Sequence, residues 1–272
     1  MLCGDLGMDG AMPEGNGRVT RPMTAEAPRR VEAVPQHFVP PQHFYRTAAL
    51  ACPYVPGRVE RKLITELTGH EAMSFYNALS RAGFRRSHHL AYRPACAGCS
   101  ACLPVRIPTA SFAATRSLRR VRRLNRDLTV RVVEPRATLD HYRLFTRYQR
   151  LRHSESDMAS MTFGDFRAMI EDSPVLSRLV ELRDADGALL GACLVDVLDD
   201  GLSAVYSFFD PDQERRSLGT YLVMALVDEG RGRALPYVYL GYWIAESPKM
   251  AYKARFHPLE GLGPEGWRPI AP

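Results

Sequence analysis

The apolar period of the chain changes near residue 175, and that change constrains the fold more than any other feature of the 272 residues. Leu176 to Leu182, Leu189 to Leu198 and Leu202 to Phe209 are apolar runs of strand length, separated by the turn signals Asp186-Gly187 and Asp200-Gly201. Such runs predict an antiparallel meander of three strands. A helix from about Ser217 to Arg231, a strand from Tyr237 to Leu240 and a helix from about Pro248 to Arg255 follow. Upstream the pattern is mostly helical. Val59, Leu63, Ile64 and Leu67 predict a helix from Arg58 that stops at Gly69, and a second runs from about Glu71 to Ala82. Phe84 to Tyr92 reads as extended and Val105 to Ile107 as a short strand. Further helices are expected over Ser117 to Asp127 and Thr138 to His153, and from Thr162, whose capping box with Asp165 opens a helix that ends near Asp172.

Three antiparallel strands, a helix and a further strand give an α+β order that resembles N-acetyltransferase-like (GNAT-like) domains. Five segments are expected: a flexible tail over 1–40, an N-terminal Cys-containing domain over 41–115, a basic helix at the seam over 116–127, a GNAT-like domain over 128–260 and a C-terminal tail over 261–272.

Charge is concentrated. Between Arg81 and Arg131 there are twelve arginines, no lysine and one acid, Asp127, so the remainder of the 36 basic and 30 acidic residues is mildly acidic. Guanidinium forks bind phosphate bidentately and stack on bases, which points to an anionic partner such as nucleic acid; a solvated basic helix fits the same composition. No apolar run approaches the roughly 18 residues of a membrane helix, and the first residues lack a signal-peptide pattern, so a cytoplasmic protein without a membrane partner is expected. Disulfides are rare in that compartment.

Cys96-x2-Cys99-x2-Cys102, with Cys52 upstream, could converge four thiolates on Zn²⁺ or an iron–sulfur cluster; small buried thiols under a turn are the alternative. At Arg215-Arg216-Ser217-Leu218-Gly219 a strand feeds a helix, which offers free N–H groups and two cations to an anion. Arg216-x-x-Gly219-x-Tyr221 is a degraded form of the coenzyme A pyrophosphate loop, and the large Tyr221 argues against acetyl-CoA. No P-loop, nucleophile-elbow serine or His-Glu-x-x-His occurs, which disfavours ATP-driven and common hydrolase chemistry.

Taken in order, Cys52-Pro-Tyr-Val-Pro-Gly-Arg58, Gly83-Phe-Arg-Arg-Ser87, Tyr92-Arg-Pro94 with the Cys triplet, Arg152-His153, Tyr206-Ser-Phe-Phe-Asp-Pro211, Arg216-Ser-Leu-Gly219 and Tyr239-Leu-Gly-Tyr-Trp-Ile244 with Met250-x-Tyr252-Lys253 resemble the bacterial branch of the arginyl-tRNA–protein transferase family. The resemblance covers roughly residues 40 to 260. It implies transfer of leucine from leucyl-tRNA to the N-terminal amine of proteins that begin with Asp or Glu, which marks them for proteolysis. It also implies a GNAT-like second half. Eukaryotic relatives have been linked to a metal or cluster in the first domain; here Val55 stands where a second Cys would fall, so ligation by Cys52, Cys96, Cys99 and Cys102 is an open expectation.

An aminoacyl ester is already activated, so no nucleotide or obligate cofactor is required for catalysis. The attacking α-amine titrates near pH 7.7–8.0, which makes a modest demand on a base. On this reading Arg119, Arg120, Arg122 and Arg123 contact tRNA phosphates. Arg215, Arg216 and Gly219 hold the acceptor end, with Tyr242 and Trp243 beside the terminal adenosine. Lys253, Arg152 or His153 pairs the substrate carboxylate, and Asp210 and Tyr206 are the catalytic candidates. Alternatives are an arginyl-tRNA donor, an acetyl-CoA-dependent N-acetyltransferase and a non-enzymatic RNA-binding protein.

Overall fold

A computed structural model describes residues 42–270. The tail expected over 1–40 lies outside the described residues. The strands are β1 (Tyr45–Arg46), β2 (Leu50–Ala51), β3 (Val59–Glu60), β4 (Lys62–Glu66), β5 (Arg85–Ser87), β6 (Leu90–Pro94), β7 (Leu103–Pro108), β8 (Thr129–Val133), β9 (Ser177–Arg183), β10 (Leu189–Val197), β11 (Gly201–Phe209), β12 (Tyr237–Trp243), β13 (Glu260–Gly263) and β14 (Gly266–Pro269). The helices are α1 (Ala72–Arg81), α2 (Arg116–Leu124), α3 (Leu139–Arg152), α4 (Phe163–Glu171) and α5 (Leu218–Gly232), with short 3-10 turns at Asp157–Ser160, Glu214–Arg216 and Ala251–Arg255.

The expected helix from Arg58 is instead β3 and β4. Leu63, Thr65 and Leu67 alternate, Thr65 and Leu67 are buried, and Thr65 Oγ1 donates to His43 O at 2.8 Å. Pairing with β1 and β6 supplies the long-range bonds that a local 3.6-residue pattern cannot reveal. The helix expected over Pro248 to Arg255 is only a 3-10 turn. The segment expected as a C-terminal tail is the hairpin β13–β14, which extends the large sheet through β7.

That sheet has eight strands in the order β14-β13-β7-β12-β11-β10-β9-β8, antiparallel except for β11 against β12. β9, β10 and β11 form the meander anticipated from the Asp-Gly turns. β7, which precedes residue 115, sits within this sheet. A four-stranded sheet, β1-β4-β6-β5, accompanies α1, and β2 pairs with β3.

Strand alternation divides the core into layers. Val180, Leu182, Cys193 and Val195 face one way and pack with Leu118, Val121, Leu222 and Leu226 of α2 and α5. Leu179, Ala192, Leu194 and Phe208 face the other way and pack with Phe145, Phe166 and Ile170 of α3 and α4. Thr138 and Thr162 cap α3 and α4 with complete capping boxes, so both helices start where their sequences place them.

Candidate active site

The two strands that pair in parallel separate. β11 and β12 are in register only over Gly201–Ser203 and Tyr237–Tyr239, and β11 bulges near Val205. The carbonyls of Ala204 and Val205 therefore lose their neighbouring strand, and a buried carbonyl needs a donor. Arg85 provides it: Nη2 donates to Ala204 O at 2.9 Å and to Val205 O at 3.0 Å. Its side chain passes over Gly241, whose φ of 70° and missing Cβ leave the room it occupies.

A cavity of about 820 Å³ opens at this fork. Its walls come from β10 and β11, the C-terminal turn of α3, the N-terminal turn of α5 and the 3-10 turn after β12. The first residues of α5, Leu218 to Thr220, present a helix N-terminus to it, beginning after Ser217 in the left-handed conformation (φ 53°). Gly219 is required there because any Cβ would meet the Phe209 ring at 2.7 Å.

Two polar groups on the wall are preorganised. Gln149 is fully buried, and its Nε2 donates to the Tyr206 hydroxyl at 2.6 Å, while Gln149 Oε1 has no partner. Tyr206 thus keeps its own O–H to donate, and burial holds its pKa above the ordinary phenol value. Lys253, 3% exposed, donates from Nζ to Tyr242 O at 2.5 Å and reaches Met250 Sδ at 3.5 Å. Burial, with a smaller contribution from Arg85, brings its pKa down to about 7.

Cations dominate the lining. Arg85, Arg152, Lys249 and Lys253 face a single carboxylate, Glu214, which Arg152 already bonds at 2.9 Å. His153 adds an imidazole whose pKa is lowered by burial, Lys249 and Arg152, in that order.

The expected site residues divide. Tyr206, Gly219, Arg152, His153 and Lys253 come together at the cavity. Asp210 does not line it: Oδ1 accepts from Asp212 N at 3.0 Å and lies 3.3 Å from Arg147, so its carboxylate holds the turn after β11. Arg216 pairs with Asp127 at 2.7 Å, joining the entry of α5 to the end of α2, and Arg215 is exposed nearby. Tyr242 is buried between segments, its hydroxyl 3.0 Å from both Gly83 O and Tyr92 O, and Trp243 packs on the core. Neither borders the cavity, which takes Leu240 from β12; the register shift at Gly241, with its φ of 70°, breaks the alternation that would otherwise put Tyr242 on the face of Leu240. On α2, Arg119, Arg120 and Arg123 are exposed, while Arg122 forms a two-pronged pair with Asp228. Arg85 and Gln149 were missed by sequence reading; Gly83-Phe-Arg-Arg-Ser87 contained the signal for Arg85 only as part of the resemblance.

The four cysteines Cys52, Cys96, Cys99 and Cys102 lie within electrostatic reach of one another: the other three push the Cys102 thiol further up after burial, to about 11. Cys96 Sγ contacts Arg61 N at 3.4 Å, and Arg58 Nη1 donates to Cys99 Sγ at 3.0 Å. Among the described residues, no group of three or more His, Cys, Asp or Glu side chains is arranged to hold a metal.

Fold and site together describe a group-transfer enzyme with a cation-lined cavity beside a basic helix. The models of the arginine-tRNA-protein transferase N terminus and C terminus match residues 50–120 and 140–263, and the chain belongs to that family. Within it, relatives named aspartate/glutamate leucyltransferase are similar over most of their length. That of Paramagnetospirillum magneticum is 59% identical over 85% of this chain and 95% of its own. Those of Granulibacter bethesdensis and Rhodospirillum rubrum are 52% identical (85% and 86% covered) and 54% identical (84% and 93% covered). Among the described residues, no helix is long and apolar enough to cross a membrane.

Proposed function

We propose that this enzyme transfers leucine from leucyl-tRNA to the N-terminal α-amine of proteins that begin with Asp or Glu, within an acyltransferase-type fold of the GNAT kind and in the cytoplasm, where charged tRNA is made. The composition of the cavity lining carries the reading beyond family membership. A leucyl side chain needs an apolar wall, which Phe209, Leu222, Val223 and Leu226 supply. An arginyl side chain would need a buried carboxylate, and the one acid present is exposed and already paired. The surplus of cations suits an acidic acceptor.

In the reaction the neutral amine attacks the ester carbonyl, an amide C–N bond forms, the ester C–O bond breaks, and the proton lost by the amine ends on the ribose hydroxyl of the departing tRNA. Tyr206 O–H, oriented by Gln149, donates to the tetrahedral oxyanion, and the N-terminus of α5 adds its dipole. The exposed arginines of α2 contact the tRNA backbone. Purified protein offered a peptide beginning with Asp, with leucyl-tRNA, arginyl-tRNA and acetyl-CoA in separate reactions, tests this. Product from leucyl-tRNA alone is expected; product from arginyl-tRNA or acetyl-CoA alone, or tRNA binding without product, overturns it.

A further inference from the structure

Arg85 and Lys253 have an unusual position. They arrive from opposite ends of the chain, β5 and the turn after β12, and meet at the inner wall of the cavity. Neither has a carboxylate partner among the described contacts. Arg85 donates to two carbonyls through Nη2, and Lys253 to one carbonyl and a thioether. The Arg85 side chain lies against Gly241, and Lys253 Nζ bonds the carbonyl of the next residue, Tyr242, so both cations meet the same stretch of β12 on one cavity wall. Buried cations are normally paired, because an uncompensated charge in a low-dielectric site is costly.

The other ionisable groups on the packed elements do not fill the role. Cys193 of β10, Tyr148 of α3 and Tyr252 of the same turn are held neutral by burial, and His153 and Lys249 can add only positive charge. Glu214 is exposed at the cavity's edge and bonded to Arg152.

We infer that Arg85 and Lys253 form a two-point anion subsite that binds the side-chain carboxylate of the acceptor's N-terminal Asp or Glu, and that this subsite sets acceptor specificity. The inference rests on the proposed transfer reaction and names its recognition element. The two cations lie on the inner wall, where a carboxylate fits, whereas the phosphates of a tRNA end are met first by the exposed arginines of α2. A carboxylate between the two cations stabilises the charged amine, so Lys253 takes up a proton when the acidic peptide binds above pH 7.

The test compares peptides beginning with Asp and with Asn, in wild type, Lys253→Met and Arg85→Gln, with leucyl-tRNA as donor. In wild type the kcat/KM ratio favours Asp; each substitution is expected to shrink that ratio by about 10- to 100-fold, the worth of a charge-assisted bond, while the KM for leucyl-tRNA stays unchanged. A preserved ratio overturns the subsite. A raised leucyl-tRNA KM with an unchanged ratio assigns the cations to the tRNA end and also overturns it. Should Arg85→Gln fail to fold, Lys253→Met and titration calorimetry decide. At pH 8, in buffers of different ionisation enthalpy, the Asp peptide takes up more protons than the Asn peptide in wild type, and the difference vanishes in Lys253→Met; equal uptake in wild type refutes the idea. If wild type forms no product with any peptide, the transfer reaction itself fails, while calorimetry still reads the subsite.

Discussion

Gly241 is the position where a single methyl group should separate backbone strain from the seating of Arg85. Its φ of 70° is left-handed, and an added Cβ would land on Arg85 Nε, Nη1 and Cδ. An alanine there costs about 1–2 kcal/mol for the left-handed backbone. It also displaces Arg85 from the carbonyls of Ala204 and Val205, and losing charge-assisted bonds costs about 1.5–3 kcal/mol more. Gly241→Ala should therefore destabilise by about 2.5–5 kcal/mol in urea titration. In an Arg85→Ala background only the strain remains, so the same substitution should cost about 1–2 kcal/mol and the double-mutant cycle should show about 1.5–3 kcal/mol of coupling. Equal costs in both backgrounds would refute the placement of Arg85 over this glycine.

Three further outcomes are expected. Lys253, with its pKa lowered to about 7, binds fewer protons folded than unfolded between roughly pH 7 and 10, so its contribution to stability rises with pH across that window by at most about 1.4 kcal/mol per unit. Lys253→Met should lack that rise and be at least as stable as wild type at pH 7; parallel stability–pH curves for the two proteins would contradict this. Asp196→Ala strands the buried Arg86 guanidinium, held at 2.7 and 2.8 Å, and should lower stability by about 3–5 kcal/mol, read from the denaturation midpoint. Arg119→Glu with Arg120→Glu should raise the KM for leucyl-tRNA, leave that for peptide unchanged and reduce the log–log salt slope of tRNA binding by about 1–2.

The parts of the fold legible in the sequence are those whose determinants are local. Thr162 and Asp165 sit three residues apart and close the capping box of α4, and the Asp-Gly pairs set the turns of the meander. Misreadings occur where distant partners decide. Val59, Leu63, Ile64 and Leu67 satisfy a helical spacing, but β2 claims the backbone of Val59 and β1 and β6 that of Leu63 and Ile64; the β13–β14 hairpin looks like a Gly-rich tail until Trp267 stacks on Arg106 at 4.3 Å and Glu260 pairs with it at 2.7 Å. The site shows the same division. Lys253 was legible as a cation among aromatics and Arg152-His153 only through the resemblance, whereas Arg85 is placed by two carbonyls about 120 residues away.

The arginine-rich segment serves two purposes that its composition merges. Arg85 reaches the bulge of β11, Arg86 is clamped to Asp196 of β10, and Arg106 lies 3.5 Å over the Tyr237 ring while bonding Glu260. The first two are staples that tie β5 to the large sheet, and Arg106 locks β7 to its neighbours β12 and β13 within it. Each uses a guanidinium as a planar, multi-donor fork, which a lysine could not replace. Arg81 and Arg122 hold Asp199 and Asp228 at the surface. Arg93 bonds the Ala82 carbonyl and Arg131 stands alone on β8, so the one clustered cationic face is Arg116, Arg119, Arg120, Arg123 and Arg126, on α2 and the residues just after it. The docking surface proposed for tRNA is thus about half the size the charge count suggests, and it is joined to α5 through the Arg216–Asp127 pair. Loss of activity from neutralising the whole segment would therefore report unfolding at the staples as readily as lost RNA contact, and only substitutions confined to α2 separate the two.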